Sequence, residues 1–318
     1  MPFDTQKFIT TQVEAAKAKV GAKPALLALS GGVDSSVAAL IVHRAIGPKL
    51  HCVFVDTGLM REREAERIKT TFEPLGLKVE VINASSRFFA ALKGTEEPER
   101  KRKIIGEHFI RVFEEYAKKN KIGVLVQGTI APDWIESGGA GRDTIKSHHN
   151  VGGLPADLGL DLFEPLRDCY KHEVRELAVA LGLPPAVAQR QPFPGPGLGV
   201  RIIGEVTEEK AAIVRKCCLI VEEEIEAAAA RGEIEKPWQY FAALLPTKTV
   251  GVRGDERSYH YTVVVRAVRS LDGMTANFSH LPPKLLEKIS SRITNSVREV
   301  GRVVYDITNK PPSTVEME

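Results

Sequence analysis

Residues 25–46 read ALLALSGGVDSSVAALIVHRAI, and this stretch predicts the architecture of the first half of the chain. An apolar run of strand length ends at Leu29, two glycines interrupt it, and apolar residues return at helical spacing from Val33. This is the pattern of a buried strand that leads into a helix through a glycine turn. An ordinary turn with a serine or aspartate helix cap is the plainer alternative.

The composition of the turn is that of an anion-binding loop. Glycines let the backbone approach a ligand closely, and the first N–H groups of a helix point toward bound anions. The hydroxyls of Ser30, Ser35 and Ser36 accompany those donors. Asp34 adds a carboxylate, which suits a polyphosphate only when Mg²⁺ lies between the two. We therefore expect a magnesium–polyphosphate ligand.

Composition and missing motifs exclude several classes of protein. The sequence has no GxxxxGK[ST] and no strand-borne GxGxxG motif, which disfavours kinases and dehydrogenases. Its formal net charge is +3 with dispersed Lys and Arg, so we expect no nucleic-acid partner. The four cysteines form no CxxC pair, and no segment is apolar enough for a leader or a membrane span. We expect a soluble cytoplasmic protein without a membrane partner.

Short apolar runs alternate with helical patterns and predict an α/β domain with a parallel sheet. The runs cover residues 25–29, 50–55, 77–82, 123–126 and 160–163. Ligands bind beyond the carboxyl ends of such strands, so loops 30–36, 55–58 and 127–129 are expected to form one pocket. Val55 would offer backbone groups to an adenine, and Gly128 would permit close approach of a nucleotide. Both positions are also compatible with ordinary strand ends.

Residues 132–156 are rich in glycine and in reactive side chains and show little apolar periodicity. This composition predicts a lid that closes over substrate. Lys146 would neutralise charge that develops on an α-phosphate, and closure would keep water from an adenylate. The adjacent His148 and His149 lack the spacing of a metal site, so we expect no metal there.

A concentration of prolines and glycines over 184–207 predicts a boundary between two domains, 1–190 and 191–318. Its Pro194-Gly195-Pro196-Gly197 run is stiff enough to present backbone groups to a ligand as well. Beyond it, a small α+β dimerisation domain is expected. The predicted helices cover 207–232 and 282–300, and the predicted strands cover 240–245, 248–252, 259–269 and 302–307. The final segment should fray unless Lys310 and Glu316 attach it.

The loop SGGVDSS resembles the pyrophosphate loop of ATP pyrophosphatases, which cleave ATP between its α- and β-phosphates and activate a substrate as its adenylate. IKSHHNVGGLP, QPFPGPGLGVRIIGEV, KTVGVRGDERSY and RVVYDITNKPPSTVEME resemble the GMP synthase family, in the same order and over essentially the whole chain. The implied fold is a parallel-sheet ATP pyrophosphatase domain, similar to adenine nucleotide alpha-hydrolases, followed by the α+β domain. Since the sequence starts at the synthetase portion, the resemblance implies the synthetase chain of a two-subunit enzyme.

The resemblance implies a ligase that adenylates XMP with ATP and Mg²⁺, releases pyrophosphate, and aminates adenyl-XMP with ammonia from a separate glutaminase subunit. The implied ATP-binding residues are Ser30, Gly31, Gly32, Val33, Asp34, Ser35, Ser36, Val55 and Gly128, with Asp34 on Mg²⁺. The implied catalytic residues are Asp133, Glu136, Lys146, His148 and His149, with Asn150 beside the adenylate. The implied XMP-binding residues are Pro194, Gly195, Pro196, Arg201, Gln239, Arg257, Lys310 and Glu316. Basic groups suit the phosphate, and a carboxylate suits purine N–H groups.

The sequence departs from the family pattern at Thr57, Trp134 and Met317, and these changes affect packing rather than charge. Two other classes stay open. One is a different adenylating pyrophosphatase, such as an NAD synthetase or a tRNA-thiolating enzyme, although the latter would favour paired cysteines or a basic face. The other is a regulatory nucleotide-binding subunit without catalysis, against which Lys146 argues.

Overall fold

A computed structural model describes residues 3–132, 160–188, 190–253, 256–271 and 273–318. These residues divide into two compact units. The first unit comprises residues up to 56, 63–84 and 106–190, and the second comprises 57–62, 85–105 and 191–318. Two short excursions from the first half of the chain therefore pack with the second unit.

The helices and strands of the first half follow the alternation expected from the sequence. They are α1 (Thr5–Val20), β1 (Ala25–Ala28), α2 (Val33–Ile46), β2 (Leu50–Asp56), α3 (Glu64–Phe72), β3 (Val79–Asn83), α4 (Ser85–Leu92), α5 (Pro98–Lys119), β4 (Val124–Val126), β5 (Asp161–Phe163), α6 (Lys171–Ala180) and α7 (Pro185–Ala188). All five predicted strands are confirmed within a few residues. The short helix α4 was not expected from the sequence.

The sheet of the first unit is parallel throughout, in the order β3-β2-β1-β4-β5. In β1, Leu27 pairs with Cys52 on one side and with Val126 on the other. The chain runs outward from β1 to β3 and then returns on the opposite side of β1. This reversal opens a crevice at the carboxyl ends of β1 and β4, where parallel sheets bind ligands.

The second unit is built on a mostly antiparallel sheet. It contains α8 (Glu208–Ala230), β6 (Gln239–Arg253), β7 (Glu256–Arg269), β8 (Asn277–Phe278), α9 (Pro283–Ser296) and β9 (Val300–Tyr305). Strand β7 pairs antiparallel with β6 and β8 and parallel with β9. The α/β class and the second unit of helices and strands predicted from the sequence are thus confirmed.

Two elements differ most from the sequence prediction. The expected strands 240–245 and 248–252 form one strand, β6, whose register shifts between Leu244 and Lys248. Pro246 lies in that shift, where a residue without an N–H group is tolerated. The helix expected to reach residue 300 ends at Ser296, because Val300 already pairs with Tyr261 of β7. Within the described residues, no helix is long and apolar enough to cross a membrane.

Candidate functional site

The loop between β1 and α2 has the backbone of an anion-binding turn. Gly31 lies at φ +76°, a conformation that favours glycine, and Gly32 is the extended N-cap of α2. The hydroxyls of Ser35 and Ser36 donate to the Gly32 carbonyl oxygen, at 3.1 and 2.7 Å. The Ser30 hydroxyl accepts from the Gly32 N–H group at 3.3 Å. The serines therefore stiffen the loop while the first N–H groups of α2 point outward.

A buried ion pair supports the loop from behind. Glu64 and Arg190 make two parallel hydrogen bonds of 2.5 Å, and the Glu64 side chain is only 2% exposed. A Cβ atom on Gly31 would lie 3.0 Å from Glu64 Oε1 and 3.1 Å from Ile68 Cδ1. The loop thus rests directly on this pair, with no room for a side chain at Gly31.

The loop after β4 packs against the start of α2. A Cβ atom on Gly128 would lie 2.9 Å from the backbone carbonyl carbon of Asp34 and 2.9 Å from the Ser35 nitrogen. The structure therefore brings Gly128 to the anion-binding loop. Val55 lies one residue before the end of β2, where it pairs with Ile82 and is 2% exposed.

The carboxylate of Asp34 combines one paired oxygen with one unpaired oxygen. Lys171, the first residue of α6, donates to Asp34 Oδ2 at 2.6 Å. Asp34 Oδ1 is buried and has no hydrogen-bond partner among the described residues. A buried unpaired carboxylate oxygen is costly unless a cation or donor reaches it. Sequence reasoning missed Lys171, because it lies 137 residues from Asp34.

Asp34 Oδ1 fits a Mg²⁺ ion that would be bound jointly by the protein and by phosphate oxygens, rather than a metal site made of protein ligands alone. Among the described residues, no group of three or more His, Cys, Asp or Glu side chains could hold a metal. Mg²⁺ in nucleotide sites takes one or two carboxylates together with phosphate oxygens and water. One free carboxylate oxygen beside an anion-binding loop meets that requirement.

The site residues of the predicted lid fall in a range that the structure does not describe. Asp133, Glu136, Lys146, His148, His149 and Asn150 lie outside the described residues. Their roles stay predictions from the sequence.

In the second unit, Pro194, Gly195 and Pro196 lead into a single 3₁₀ turn over Gly197–Arg201. A Cβ atom on Gly197, at φ +63°, would clash with the Leu59 carbonyl oxygen. The Leu198 N–H group donates to the same oxygen at 2.7 Å. The proline–glycine run is therefore held close to the backbone of residue 59.

Glu316, Arg201 and Gln239, three of the residues predicted to bind XMP, meet in one cluster. Arg201 donates to both oxygens of Glu316, at 2.9 and 3.0 Å, and Gln239 Nε2 donates to Glu316 Oε1 at 2.6 Å. Arg201 is 1% exposed and Glu316 14% exposed. Burial alone would lower the pKa of Arg201, but the Glu316 carboxylate outweighs it and holds that pKa above its ordinary value. The predicted attachment of the final segment through Glu316 is confirmed.

Lys310 and Arg257 lie in different surroundings. Lys310 Nζ donates to the Gly273 carbonyl oxygen at 2.7 Å, which confirms the second predicted attachment. Arg257 is exposed at the start of β7, whereas Gln239 pairs with Val268 of the same strand. Arg257 and Val268 are eleven positions apart along this extended strand, a distance of roughly 35 Å. Within one chain the structure does not bring Arg257 to the Glu316 cluster.

Two protein-family models match different parts of the chain. The NAD synthase family model matches residues 4–136, and the model of the GMP synthase C terminal domain matches residues 223–317. A solved structure of NMN synthetase from Francisella tularensis covers 93% of this chain and 96% of its own, with 14% sequence identity and a TM-score of 0.50. That similarity concerns the fold alone.

Full-length relatives are much more similar in sequence. A relative from Thermococcus kodakarensis, named as one subunit of a glutamine-hydrolyzing GMP synthase, is 59% identical over 98% of this chain and 99% of its own length. The corresponding subunit from Methanopyrus kandleri is 54% identical over 99% of this chain and 100% of its own length. A glutamine-hydrolyzing GMP synthase from Clostridium botulinum is 55% identical over 98% of this chain but only 61% of its own length.

The parallel sheet, its glycine loop and the NAD synthase match define the class as ATP-using synthetases with the ATP pyrophosphatase fold. Within that class, the chain belongs to the GMP synthase family, in the group whose members are separate subunits of the glutamine-hydrolyzing enzyme. Members of this family are ATP-dependent ligases.

Proposed function

We propose that the chain adenylates XMP with Mg·ATP and then aminates adenyl-XMP with ammonia to give GMP and AMP. The single observation that carries the ATP-binding part of this proposal is the buried Oδ1 of Asp34, which lies by the anion-binding loop and has no hydrogen-bond partner in the described part of the chain. Family membership supports the XMP half. An NAD synthetase would share the proposed binding of ATP but not the use of XMP.

At the ATP end, the N–H groups at the start of α2 would bind the pyrophosphate portion, and the Ser35 and Ser36 hydroxyls would turn from the Gly32 carbonyl oxygen to donate to it as well. A bound Mg²⁺, held by Asp34, would supply charge neutralisation on the polyphosphate. Lys171 would then leave Asp34 and donate to a phosphate oxygen, since its ammonium group is already within the site. Val55 would present backbone groups to the adenine, and Gly128 would leave room for the nucleotide.

At the XMP end, Glu316 would accept hydrogen bonds from purine N–H groups, and backbone groups of Pro194, Gly195 and Pro196 would line the site. Glu316 Oε2 accepts only from Arg201 and retains a lone pair for a purine N–H group, whereas Oε1 already accepts from both Arg201 and Gln239. Arg201 is bound and buried, so we assign it to positioning Glu316 rather than to the XMP phosphate.

Lys310 and Arg257 would complete the phosphate side. The position of Arg257, roughly 35 Å along β7 from the partner of Gln239, means that a second copy of the chain would have to supply it. The predicted homodimer is compatible with such a shared site.

In the reaction, the O2 oxygen of XMP would attack the α-phosphorus of ATP, and pyrophosphate would leave with the bonding electrons. Ammonia would then attack C2, and AMP would leave. Lys146 would steady the α-phosphate, His148 and His149 the adenylate, and Asp133 and Glu136 would handle ammonia or metal. A separate glutaminase subunit would supply the ammonia, since the relatives are themselves named as single subunits of the enzyme. Both subunits would act in the cytoplasm.

The substrate assignment is tested by pyrophosphate release. The purified chain is incubated with Mg·ATP and with XMP, IMP, nicotinic acid adenine dinucleotide or no second substrate, without a nitrogen source. We expect release only with XMP, because only XMP carries the 2-oxo group that the reaction adenylates. Release with the dinucleotide alone would indicate an NAD synthetase, and no release with any of them would leave a nucleotide-binding protein without this activity.

A further inference from the structure

Three buried cationic side chains hold the C-terminal segment of the second unit, residues 306–318. They are Lys101 on α5, Arg201 on the 3₁₀ turn and Arg266 on β7, and each is at most 1% exposed. Removing a charge from water is costly, and a buried pair adds little net stability over apolar packing. The contacts of each cation point instead to a role in positioning the segment.

Arg266 fixes the course of the segment up to residue 315. Its guanidinium donates to the carbonyl oxygens of Thr314 and Val315, at 2.7 and 2.8 Å, and to the Ser313 hydroxyl at 2.9 Å. It also pairs with the Asp306 carboxylate. These bonds hold the backbone that leads into Glu316.

Lys101 fixes the other side of Glu316. Its ammonium group pairs with the Glu318 carboxylate and donates to the Ile202 carbonyl oxygen at 2.8 Å. The Gly204 N–H group donates to the second Glu318 oxygen at 3.1 Å. Burial lowers the pKa of Lys101, and Glu318 opposes that shift.

The contacts of Lys101 bracket the Arg201–Glu316 pair. Ile202 directly follows Arg201, and Glu318 lies two residues after Glu316, so one ammonium group ties together the backbones that carry both partners. We propose that Lys101 is a positioning residue for the purine site: through Glu318 and Ile202 it sets the direction of the Glu316 carboxylate without contacting substrate. This inference rests on the proposed function, in which Glu316 binds XMP.

The test compares Lys101→Met with Lys103→Met. Lys103 is exposed two residues further along α5 and serves as the matched control. For Lys101→Met we expect the KM for XMP to rise at least tenfold, while the KM for ATP changes less than twofold. Glu318→Gln should raise the KM for XMP in the same way, and the double variant should be no worse than the more affected single variant, because both changes break one connection. Lys103→Met should have the same KM for XMP and the same KM for ATP as the wild type.

An unchanged KM for XMP in folded Lys101→Met would overturn the inference. Equal rises in the KM for XMP and the KM for ATP would also overturn it, because they would indicate a merely structural role. If Lys101→Met does not fold, Glu318→Gln decides alone by the same criteria. Failure of the proposed function is distinguishable, because the wild-type chain would then show no XMP-dependent pyrophosphate release.

Discussion

Asp34→Asn is expected to lower XMP-dependent pyrophosphate release about a thousandfold, equivalent to roughly 4 kcal/mol of transition-state stabilisation. The amide keeps the shape of the side chain but removes the negative charge that we assign to Mg²⁺. It also weakens the contact with Lys171. The measurement is the initial rate of pyrophosphate release at saturating XMP and ATP with excess Mg²⁺.

Asp161→Asn is the matched control. Asp161 begins β5, forms an ion pair with Lys23 and is half exposed. The substitution therefore removes only an exposed ion pair, which contributes little to stability. We expect its rate to stay within twofold of the wild type. Near-normal pyrophosphate release by Asp34→Asn would show that loop 30–36 is not part of the catalytic site.

Gly128→Ala is expected to reduce kcat/KM for ATP at least a hundredfold. The added methyl group would lie 2.9 Å from backbone atoms of Asp34 and Ser35, so the backbone of one loop must move. A shift of even about 1 Å in a positioning element is enough for a loss of this order. Overpacking should also lower the free energy of unfolding by roughly 1–3 kcal/mol.

Gly106→Ala provides the comparison for a glycine with free space. It lies in α5, and an added Cβ would have no neighbour within 4 Å among the residues that the structure describes. Alanine should raise the free energy of unfolding by up to about 1 kcal/mol through helix propensity and leave kinetics unchanged. Wild-type kcat/KM for ATP in Gly128→Ala would show that the loop after β4 does not border the nucleotide.

The central strands of the first unit, β1, β2 and β4, could be predicted from the sequence because they are largely buried and therefore largely apolar. The run 25–29 corresponds to β1, with Ala25, Leu26 and Leu27 at most 1% exposed. The glycine turn that follows is a local signal, since both its conformation and its helix cap depend on adjacent residues. The expected pocket then follows from the rule that ligand loops gather where a parallel sheet reverses direction.

Long-range pairs could not be predicted, because nothing local marks them. Glu64 and Arg190 are 126 residues apart, and Lys101 and Glu318 are 217 apart. Each looks like an ordinary surface charge in the sequence, yet each is a buried partner in the structure. The pairing of Arg201 with Glu316 could not be predicted for the same reason. The charge of Arg201 suggested that it binds the XMP phosphate, but its guanidinium is bound to Glu316.

The most direct test of the proposed activity is GMP formation by the purified chain with XMP, ATP and Mg²⁺, with either ammonium or glutamine as the nitrogen source. We predict GMP, AMP and pyrophosphate in equal amounts with ammonium, and no GMP with glutamine until a glutaminase subunit is added. Failure to form GMP with ammonium, or GMP from glutamine by this chain alone, would contradict that activity.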